Sequence, residues 1–307
     1  MTKAKGKVIA AMLIFGTIGL FVKNIDLTSS EIALYRGFFG SLFLLLVLGL
    51  KKERLSWKKS KENAGILFYS GAAIGLNWIL LFEAYRYTTI SNATLSYYMA
   101  PLFVVLASPF ILKEKLTILK TSCVFLALIG MYFIVEKGGM NATGYNHTLG
   151  IAYGIGAALL YASVILATKF LKNMASLETT IIQLMTASLV LAPYVIFKEG
   201  INIFSVSGSS LVYLLFLGIV HTGIAYALYF SAMQDLKGQT MAILSYIDPI
   251  SAVILATLFL NERMTIIQII GGFFILSAAF LSESGVIEKV VRNRSLDNEN
   301  KKNRAIK

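Results

Sequence analysis

The sequence predicts an all-α membrane protein, with ten transmembrane helices arranged as two inverted repeats of five. Its composition is the first observation behind this prediction, because 57% of the 307 residues are hydrophobic and 14% are charged, against roughly 25% charged residues in soluble domains. The second is a series of apolar runs, each near the ~20 residues that cross a bilayer as a helix. The third is a set of residues in the first half of the chain that recurs in the second half.

Ten apolar runs, bounded by charged or turn residues, define the predicted helices, which we call spans one to ten. They cover residues 7–22, 30–50, 64–85, 90–112, 116–135, 148–168, 179–197, 209–231, 239–260 and 265–283. The first run follows Lys3, Lys5 and Lys7 and so resembles a signal peptide, but no small-x-small cleavage site comes after it. We therefore expect span one to be retained.

The basic residues are distributed unevenly between the two sides of the predicted bundle. With the N-terminus in the cytoplasm, the outer loops contain only Lys23, Arg86, Lys137, Lys198 and Arg263, and the remaining loop and terminal basic residues are cytoplasmic. The positive-inside rule then predicts cytoplasmic termini, and we expect the protein in the cytoplasmic membrane. The net charge of +12 therefore reflects orientation in a bilayer and does not indicate a nucleic-acid partner.

An internal repeat relates the two halves of the chain. A shift of 148 residues superposes Tyr98 on Tyr246, Pro101 on Pro249, Glu114 on Glu262 and Thr117 on Thr265. We expect a first repeat over residues 1–143, a second over 144–285 and a polar cytoplasmic tail over 286–307. Because five is odd, the second repeat must enter the membrane from the opposite side, as in carriers that work by alternating access. A duplicated scaffold without transport is the alternative.

The residues that carry this repeat resemble those of a known family. Ala-Pro at 100–101 followed by Glu114, Asp-Pro at 248–249 followed by Glu262, and Arg36 early in span two are similar to the EamA group of the drug/metabolite transporter superfamily. The resemblance implies a ten-helix fold whose central cavity is lined by spans one to four and six to nine, with spans five and ten peripheral. Members of this group carry amino acids, nucleotides, sugars, quaternary cations or drugs, so the resemblance does not name a substrate.

Asp248 is the first candidate for a functional residue. It lies near the middle of span nine, where an ionised side chain costs about 2.5 to 3.5 kcal/mol, so it should face a wet cavity or a partner. Ser245, Asp248 and Ser251 recur every three residues and should share one helix face. We expect Asp248 to contact a substrate and to exchange a coupling proton with it. The alternative is an aspartate that bonds neighbouring hydroxyls and serves packing alone.

Arg36 is the second candidate, two turns into span two. Its guanidinium is permanently charged and requires an acidic partner or a ligand that carries a carboxylate, although a structural role is the alternative.

Two further pairs of residues are predicted to take part in conformational change or in packing. Pro101 and Pro249 each remove a helix hydrogen bond near mid-membrane and are predicted hinges, whereas Glu114 and Glu262 end their helices at opposite membrane faces and are predicted gate or packing residues.

Polar-tipped aromatic side chains at mid-membrane suit a cavity for an amphipathic solute or a cation. The candidate lining residues of this kind are Trp78, Tyr97, Tyr98, Tyr226 and Tyr246, and we add Asn77, Ser245 and His221 as polar neighbours. Helix packing is the alternative for each of them. For His221 the choice is between a pH-sensitive ligand contact and a histidine satisfied within the core.

Several other activities find no support in the sequence. There is no phosphate-binding loop for an ATP-driven pump, and a single cysteine, Cys123, gives no disulfide within the chain and no thiol cluster. His147 and His221 do not have metal-site spacing, and no set of nucleophile, base and acid is visible. We therefore expect no enzyme activity, no metal and no cofactor.

These observations together predict a secondary transporter for a small organic solute, namely an amino acid, a related metabolite or an organic cation. Its partners would be this solute, the lipid bilayer and a coupling proton, and the sequence predicts no particular oligomeric state. A channel-like facilitator of the same solutes is the first alternative. A membrane sensor or scaffold is the second alternative.

Overall fold

The computed structural model describes residues 2–113, 117–138, 146–200, 202–203, 205–233, 235–236 and 238–283. These residues form helices joined by short connections, and a helix lies at each of the ten predicted spans. Seven helical stretches are long and apolar enough to cross a membrane, and three more are shorter apolar helices within spans five, nine and ten. The predicted class, an all-α membrane protein, is confirmed.

The first five spans contain seven helices. Span one consists of Thr2–Gly16 and Ile18–Val22, span two of Ser29–Leu50, span three of Ala64–Tyr87, span four of Ile90–Tyr97 and Ala100–Ile111, and span five of Ile118–Gly138. A short helix that the sequence did not predict, Trp57–Glu62, lies between spans two and three. Span one also begins earlier than the predicted residue 7, because the helix continues through its lysine-bearing first turns.

The last five spans include two π-helical segments. Span six is His147–Thr168, and span seven is Ser176–Tyr194 followed by π-helical Val195–Glu199. Span eight is Gly208–Phe216, π-helical Leu217–Ile224 and Ala225–Met233, span nine is Gly238–Ser245 and Ile247–Leu260, and span ten is Ile266–Glu283. Wider turns of this kind recur at functional sites.

Hydroxyl and amide side chains begin several of the spans. Thr28 starts span two with a complete capping box, in which its hydroxyl accepts from the Glu31 backbone N–H and the Glu31 carboxylate accepts from the Thr28 backbone N–H. Thr89, Asn146 and Ser207 cap spans four, six and eight in the simpler way, each accepting one backbone N–H. Donors that would otherwise be unpaired are satisfied at each of these helix starts.

Spans four and nine are interrupted at equivalent places, which the prediction of continuous helices did not include. Pro101 follows the break after Tyr97, and Pro249 follows the break at Tyr246. Proline has no N–H to donate to the carbonyl four residues earlier, so the hydrogen-bond ladder stops there. The third interruption, in span one, has no proline; it occurs at Thr17, whose hydroxyl donates to the Ile14 carbonyl at 2.7 Å.

The neighbours of each span follow the same pattern in both halves. Span one packs against spans eight and nine, and span six packs against spans three and four. Span two contacts span eight just as span seven contacts span three. Spans two and seven, four and nine, and five and ten contact each other directly. Exchanging spans one to five with spans six to ten therefore reproduces each of these contacts.

Spans two and seven, which occupy equivalent places in the two halves, run antiparallel. Ser30, at the start of span two, donates to the carboxylate of Glu199, at the end of span seven, at 2.6 Å. One turn further along span two, the Leu34 carbonyl accepts from Ser188, which lies three turns earlier in span seven, at 3.3 Å. Residue numbers thus rise in one helix as they fall in the other.

Spans five and ten also cross in opposite directions, and their backbones touch at two glycines. A Cβ atom on Gly130 or on Gly271 would lie 2.5 Å from the other residue's carbonyl oxygen, so a larger residue would separate the helices. Gly130 also faces Ile275, and Gly271 faces Ile134. The reversed order of these contacts shows that the two helices are antiparallel.

Candidate functional site

Arg36 lies inside the helix bundle with 3% of its surface exposed. Its Nε donates a hydrogen bond of 2.9 Å to the Thr222 hydroxyl of span eight. The guanidinium lies 4.3 Å from the centre of the Trp78 ring and 5.7 Å from the centre of the Phe82 ring, both in span three. No carboxylate among the described residues forms an ion pair with it. Among the described residues, the acidic partner predicted for Arg36 is therefore not found.

The π-helical segment of span eight positions the hydroxyl that holds Arg36. Thr222 donates to the Leu217 carbonyl, five residues earlier, at 3.2 Å, and its oxygen then accepts from Arg36. Close packing brings spans two and eight together here, because a Cβ on Gly40 would lie 2.4 Å from the Thr222 methyl carbon. Local helix geometry and one glycine together therefore set the position of the guanidinium.

Asp248 lies where the interrupted spans four and nine meet. The Tyr98 hydroxyl donates to Asp248 Oδ2 at 2.9 Å, and the Tyr98 and Tyr246 rings pack with their centres 6.1 Å apart. Span one approaches from the other side, where a Cβ on Gly16 would lie 3.0 Å from the Asp248 carbonyl oxygen. Asp248 is nevertheless partly exposed.

Three further tyrosines surround the two charged groups. Tyr85, Tyr97 and Tyr226 each lie close enough to interact electrostatically with both Arg36 and Asp248. The two charges also interact with each other without forming an ion pair. The structure thus brings together a cation and a carboxylate, separated from direct contact and lined by phenol groups.

Tyr85 and Thr222 belong to this group of residues, but the sequence analysis did not identify them. A signal for Tyr85 was present, because Trp78, Phe82 and Tyr85 recur at helical spacing along one face of span three. No comparable signal marks Thr222, whose place depends on the π-helical turns of span eight. A hydroxyl next to a histidine in an apolar run has no distinctive pattern in sequence.

His221 is completely buried and contacts other residues of the protein. Its Nε2 shares a hydrogen bond of 2.7 Å with the Thr17 hydroxyl, at the interruption of span one. The rings of Phe21 and Phe216 lie against it, with centre distances of 4.9 and 5.5 Å. These contacts favour the alternative of a satisfied core histidine.

Asn77 and Ser245 also make hydrogen bonds within the protein. Asn77 is 1% exposed and donates through Nδ2 to the Ala157 carbonyl, which joins spans three and six. Ser245 donates to the Met241 carbonyl at 2.9 Å within its own short helix. Ser245 and Asp248, which were expected to share a helix face, belong to two helices that meet at Tyr246.

Glu262 joins the two halves at one end of the bundle. Its carboxylate accepts from the backbone N–H groups of Ile90 and Ser91, at 2.8 and 3.2 Å, and so caps the start of span four. Lys23 forms an ion pair with it at 3.1 Å. The predicted counterpart, Glu114, lies outside the described residues. Glu262 is thus far along the helices from Asp248 and does not belong to the central group.

A cavity of about 630 Å³ opens at this same end. Lys23 and Arg86 supply positive charge to its lining, and Asp26 and Glu31 supply negative charge. Tyr85, which interacts with both Arg36 and Asp248, lines it as well. Tyr85 is therefore shared between the lining of this cavity and the central group of residues. No cluster of three or more His, Cys, Asp or Glu suited to a metal occurs in the described parts of the chain.

Comparisons with known proteins agree with this architecture. The sequence model of the EamA-like transporter family matches the chain twice, over residues 6–136 and 148–283. The uncharacterized transporter YxxF of Bacillus subtilis is 28% identical over 86% of this chain and 84% of that protein. An uncharacterized transporter of Archaeoglobus fulgidus is 26% identical over 92% of this chain and 97% of its own. One crystal structure shares the fold, with a TM-score of 0.63 at 18% identity over 95% of this chain and 99% of that chain.

Apolar helices around a buried arginine and a partly exposed aspartate, together with relatives that are named as transporters, define a class: this is a multi-pass membrane transporter. Because the family match extends over most of both halves, the chain belongs to the EamA-like transporter family. The resemblance drawn from its Ala-Pro, Asp-Pro and glutamate pattern is thereby confirmed. A small-molecule substrate and a lipid bilayer are the partners that membership in this family implies.

Proposed function

We propose that this protein is a secondary transporter for zwitterionic amino acids or closely related metabolites, and that the substrate binds between Arg36 and Asp248. The single observation that carries the proposal is this pair of opposite charges, held deep in the bundle without an ion pair between them. A substrate with a carboxylate at one end and an ammonium group at the other would satisfy both charges at once.

The chemistry of the surrounding side chains supports this orientation of the substrate. Arg36 is engaged through Nε, so its two terminal nitrogens remain to donate to a carboxylate. Asp248 accepts one hydrogen bond from Tyr98, which leaves lone pairs for an ammonium group. The rings of Tyr97 and Tyr226 can contact the aliphatic or aromatic part of such a substrate.

Alternating access is the proposed mechanism, and the arrangement of the helices supports it. Equivalent spans of the two halves contact each other and run antiparallel, as the crossings of spans two with seven and five with ten illustrate. Two halves of this kind, which we propose to divide at residues 143 and 144, can exchange conformations. The interruptions beside Pro101 and Pro249 would then act as the hinges.

We further propose that both termini lie in the cytoplasm, following the distribution of basic residues. The cavity beside Lys23 and Glu262 is then an outer vestibule in a cytoplasmic membrane. The bond from Lys23 to Glu262, which itself caps span four, joins spans one, four and nine at the outer end. Breaking of the ion pair between Lys23 and Glu262 would accompany a rearrangement of the outer end of the bundle.

Asp248 is also the proposed carrier of a coupling proton. It is a carboxylate at the meeting point of three spans, and a carboxylate can hold either the substrate ammonium group or a proton. A pH gradient should therefore drive uptake into proteoliposomes by the wild-type protein, and Asp248→Asn should abolish this drive. Uptake that is independent of pH and unchanged in Asp248→Asn would exclude the role.

The substrate proposal is tested with three matched ligands on the purified protein. A neutral amino acid carries both charges, its methyl ester carries the positive charge alone and its N-acetyl derivative carries the negative charge alone. A true ligand raises the unfolding temperature by mass action, and we expect a rise with the free amino acid only, across a panel of amino acids. A rise that is as large with the esters would instead identify an organic-cation transporter.

Counterflow in proteoliposomes tests the mechanism. A carrier that alternates between two sides exchanges labelled external substrate for unlabelled internal substrate, so preloading should accelerate uptake. A channel-like facilitator would show flux that does not saturate and is not accelerated by preloading. Absence of saturation and of exchange for the ligand found by thermal shift would contradict alternating access.

A further inference from the structure

An apolar groove of about 510 Å³ lies on the flank of the bundle, where spans three, four and six meet. Its lining includes Ile66, Tyr69, Phe103, Ala107, Leu159 and Phe170. None of the central charged and aromatic residues contributes to it. The groove is therefore separate from the proposed substrate site, and its chemistry suits a long apolar ligand.

One end of the groove borders two basic segments that are distant in sequence. Gly65, which lines the groove, follows a cluster of exposed lysines, and Phe170, which also lines it, lies between two other exposed lysines. These are Lys58, Lys59 and Lys61 before span three, and Lys169 and Lys172 after span six. The first segment also contains Glu62, which its three lysines outnumber. Positive charge is thus concentrated where the apolar lining ends.

A pair of hydrogen bonds fixes the two basic segments to each other. Asn63 Nδ2 donates to the Lys172 carbonyl at 3.1 Å, and the Lys172 backbone N–H donates to Asn63 Oδ1 at 2.9 Å. Asn63 is buried, so this junction is part of the folded core and not a chance surface contact. The basic end of the groove is therefore a built feature of the fold.

The short helix Trp57–Glu62 indicates where this end lies relative to a bilayer. Trp57 is 84% exposed, and exposed tryptophan beside lysine is typical of the level of the lipid headgroups. An apolar groove that runs from this level along the flank of membrane-spanning helices suits one lipid, with its charged head at the basic end and a hydrocarbon tail between the helices.

We propose that this groove binds an anionic phospholipid, with an acyl chain between spans three, four and six and the phosphate held by Lys169, Lys172 and the lysines of Trp57–Glu62. Charge complementarity selects an anionic head over a zwitterionic one, because each lysine near a membrane surface attracts anionic lipid by about 1 kcal/mol. The apolar lining requires the acyl chain, so the phosphate group alone does not suffice.

The test measures the unfolding temperature of the full chain, purified in a neutral detergent, during titration with lipid. We expect phosphatidylglycerol to raise it, and phosphatidylcholine and inorganic phosphate to leave it unchanged. Equal stabilisation by phosphatidylcholine would overturn the anionic selectivity. Stabilisation by inorganic phosphate to the same extent would show that the lysines bind a free anion and that the groove plays no part.

Removal of lysines at the basic end should weaken the binding of phosphatidylglycerol in proportion to the number of lysines removed. The variant Lys169→Gln/Lys172→Gln should raise the half-saturating phosphatidylglycerol concentration roughly fivefold for each lysine removed. The matched control is Lys3→Gln/Lys5→Gln, which neutralises two exposed lysines of span one, outside the spans that line the groove, and should behave as the wild type. An identical loss in both variants would show a general charge effect and would contradict the site.

A second variant fills the groove and keeps every lysine. A Cβ atom on Gly65 would meet no heavy atom within 4 Å, so Gly65→Leu should fold normally and occupy the space of the acyl chain. We expect it to lose the stabilisation by phosphatidylglycerol. Gly49→Leu, equally free of neighbours but outside the groove, should retain it. If Gly65→Leu responds to phosphatidylglycerol as the wild type does, the groove does not hold the lipid.

Discussion

Arg36 and Asp248 are both held by neutral partners. A buried charge without an opposite charge is unfavourable, and contacts between a cation and aromatic rings return only about 0.5 to 2 kcal/mol. The rings of Trp78 and Phe82 therefore compensate Arg36 incompletely. In the proposed transporter, the substrate supplies the missing charges, and the free energy of binding includes the relief of this deficit.

Arg36→Lys should separate the role of charge from that of geometry. Lysine keeps the positive charge but lacks the planar fork that binds a carboxylate with two hydrogen bonds. We expect the dissociation constant of the amino acid identified by thermal shift to rise roughly 10- to 100-fold, which corresponds to the loss of one charged hydrogen bond. The measurement is a thermal-shift titration of purified protein.

The matched control for this variant is Arg54→Lys, at an exposed position outside the central group. It should leave the dissociation constant unchanged. An unchanged constant in Arg36→Lys as well would mean that this guanidinium serves packing, which was the structural alternative.

Tyr98 and Asp248 should act as a coupled pair. The phenol donates to the carboxylate at 2.9 Å, so removing either group alone already breaks the bond. We expect Tyr98→Phe and Asp248→Asn to be non-additive in substrate affinity, with a coupling energy on the order of 0.5 to 3 kcal/mol in a double-mutant cycle. Additive effects of the two substitutions would show that the bond does not contribute to binding.

The sequence predicted most of the central group, and the reason is physical. Charged and polar-tipped side chains are rare in apolar spans, so Arg36, Asp248 and the tyrosines were conspicuous. Asn77 and His221 were conspicuous for the same reason, but the structure assigns them hydrogen bonds within the protein. Rarity identifies a polar side chain that needs a partner, and only the folded structure shows whether that partner is already present.

At the scale of helices, the interruptions of spans four and nine determine the shape of the centre. Each places a tyrosine at the interruption and a proline in the first turn of the helix that follows. The sequence predicted that both prolines are hinges, which stays a prediction, but it did not give the positions at which the helices end. Proline is tolerated in the first turn of a helix. The position of a proline in the sequence is therefore compatible with a kinked helix or with a complete break between two helices.

Pro249→Ala should restore the missing hydrogen-bond donor in span nine. Alanine can donate to the Ser245 carbonyl, and we expect a continuous helix, an unfolding free energy that is unchanged or raised, and slower transport because the hinge is stiffened. Helix-interior proline costs about 3 kcal/mol, which sets the upper limit of the gain in stability. Thermal unfolding and proteoliposome uptake measure the two effects.

Pro109 provides the control, because it lies inside the second helix of span four, away from the central group. Pro109→Ala should resemble Pro249→Ala in stability and should leave uptake unchanged. Equal loss of uptake in the two variants would indicate a general effect of helix stiffening, and the special role of the hinge at Pro249 would be lost.

At the scale of the whole molecule, the two halves are interleaved. The largest interfaces join spans three and six, and spans five and ten, and so cross from one half to the other. The hydropathy of the sequence predicted ten spans. The odd number of spans in each repeat and the distribution of basic residues predicted that the two halves are inverted. The sequence could not predict which spans touch, because apolar residues face both lipid and neighbouring helices in a membrane and carry no periodic signal.

Cysteine labelling should report the proposed inversion directly. Asn24 and Ala175 are exposed and lie in the connections that precede spans two and seven. In a Cys123→Ala background, we expect an impermeant maleimide to label Asn24→Cys from outside intact cells and to label Ala175→Cys only after the membrane is opened. Labelling of both from the same side would refute the inverted arrangement and, with it, the alternating-access proposal.

The interleaving of the halves has a consequence for synthesis on the ribosome. Span one has its main neighbours in spans eight and nine, and span three has its own in spans six and seven. When the first five spans have left the translocation machinery, the surfaces of Gly16 and Gly71 that later receive Ser251 and Thr186 still face lipid or one another. We therefore expect the nascent protein to remain an incompletely packed set of helices until the last spans have been inserted.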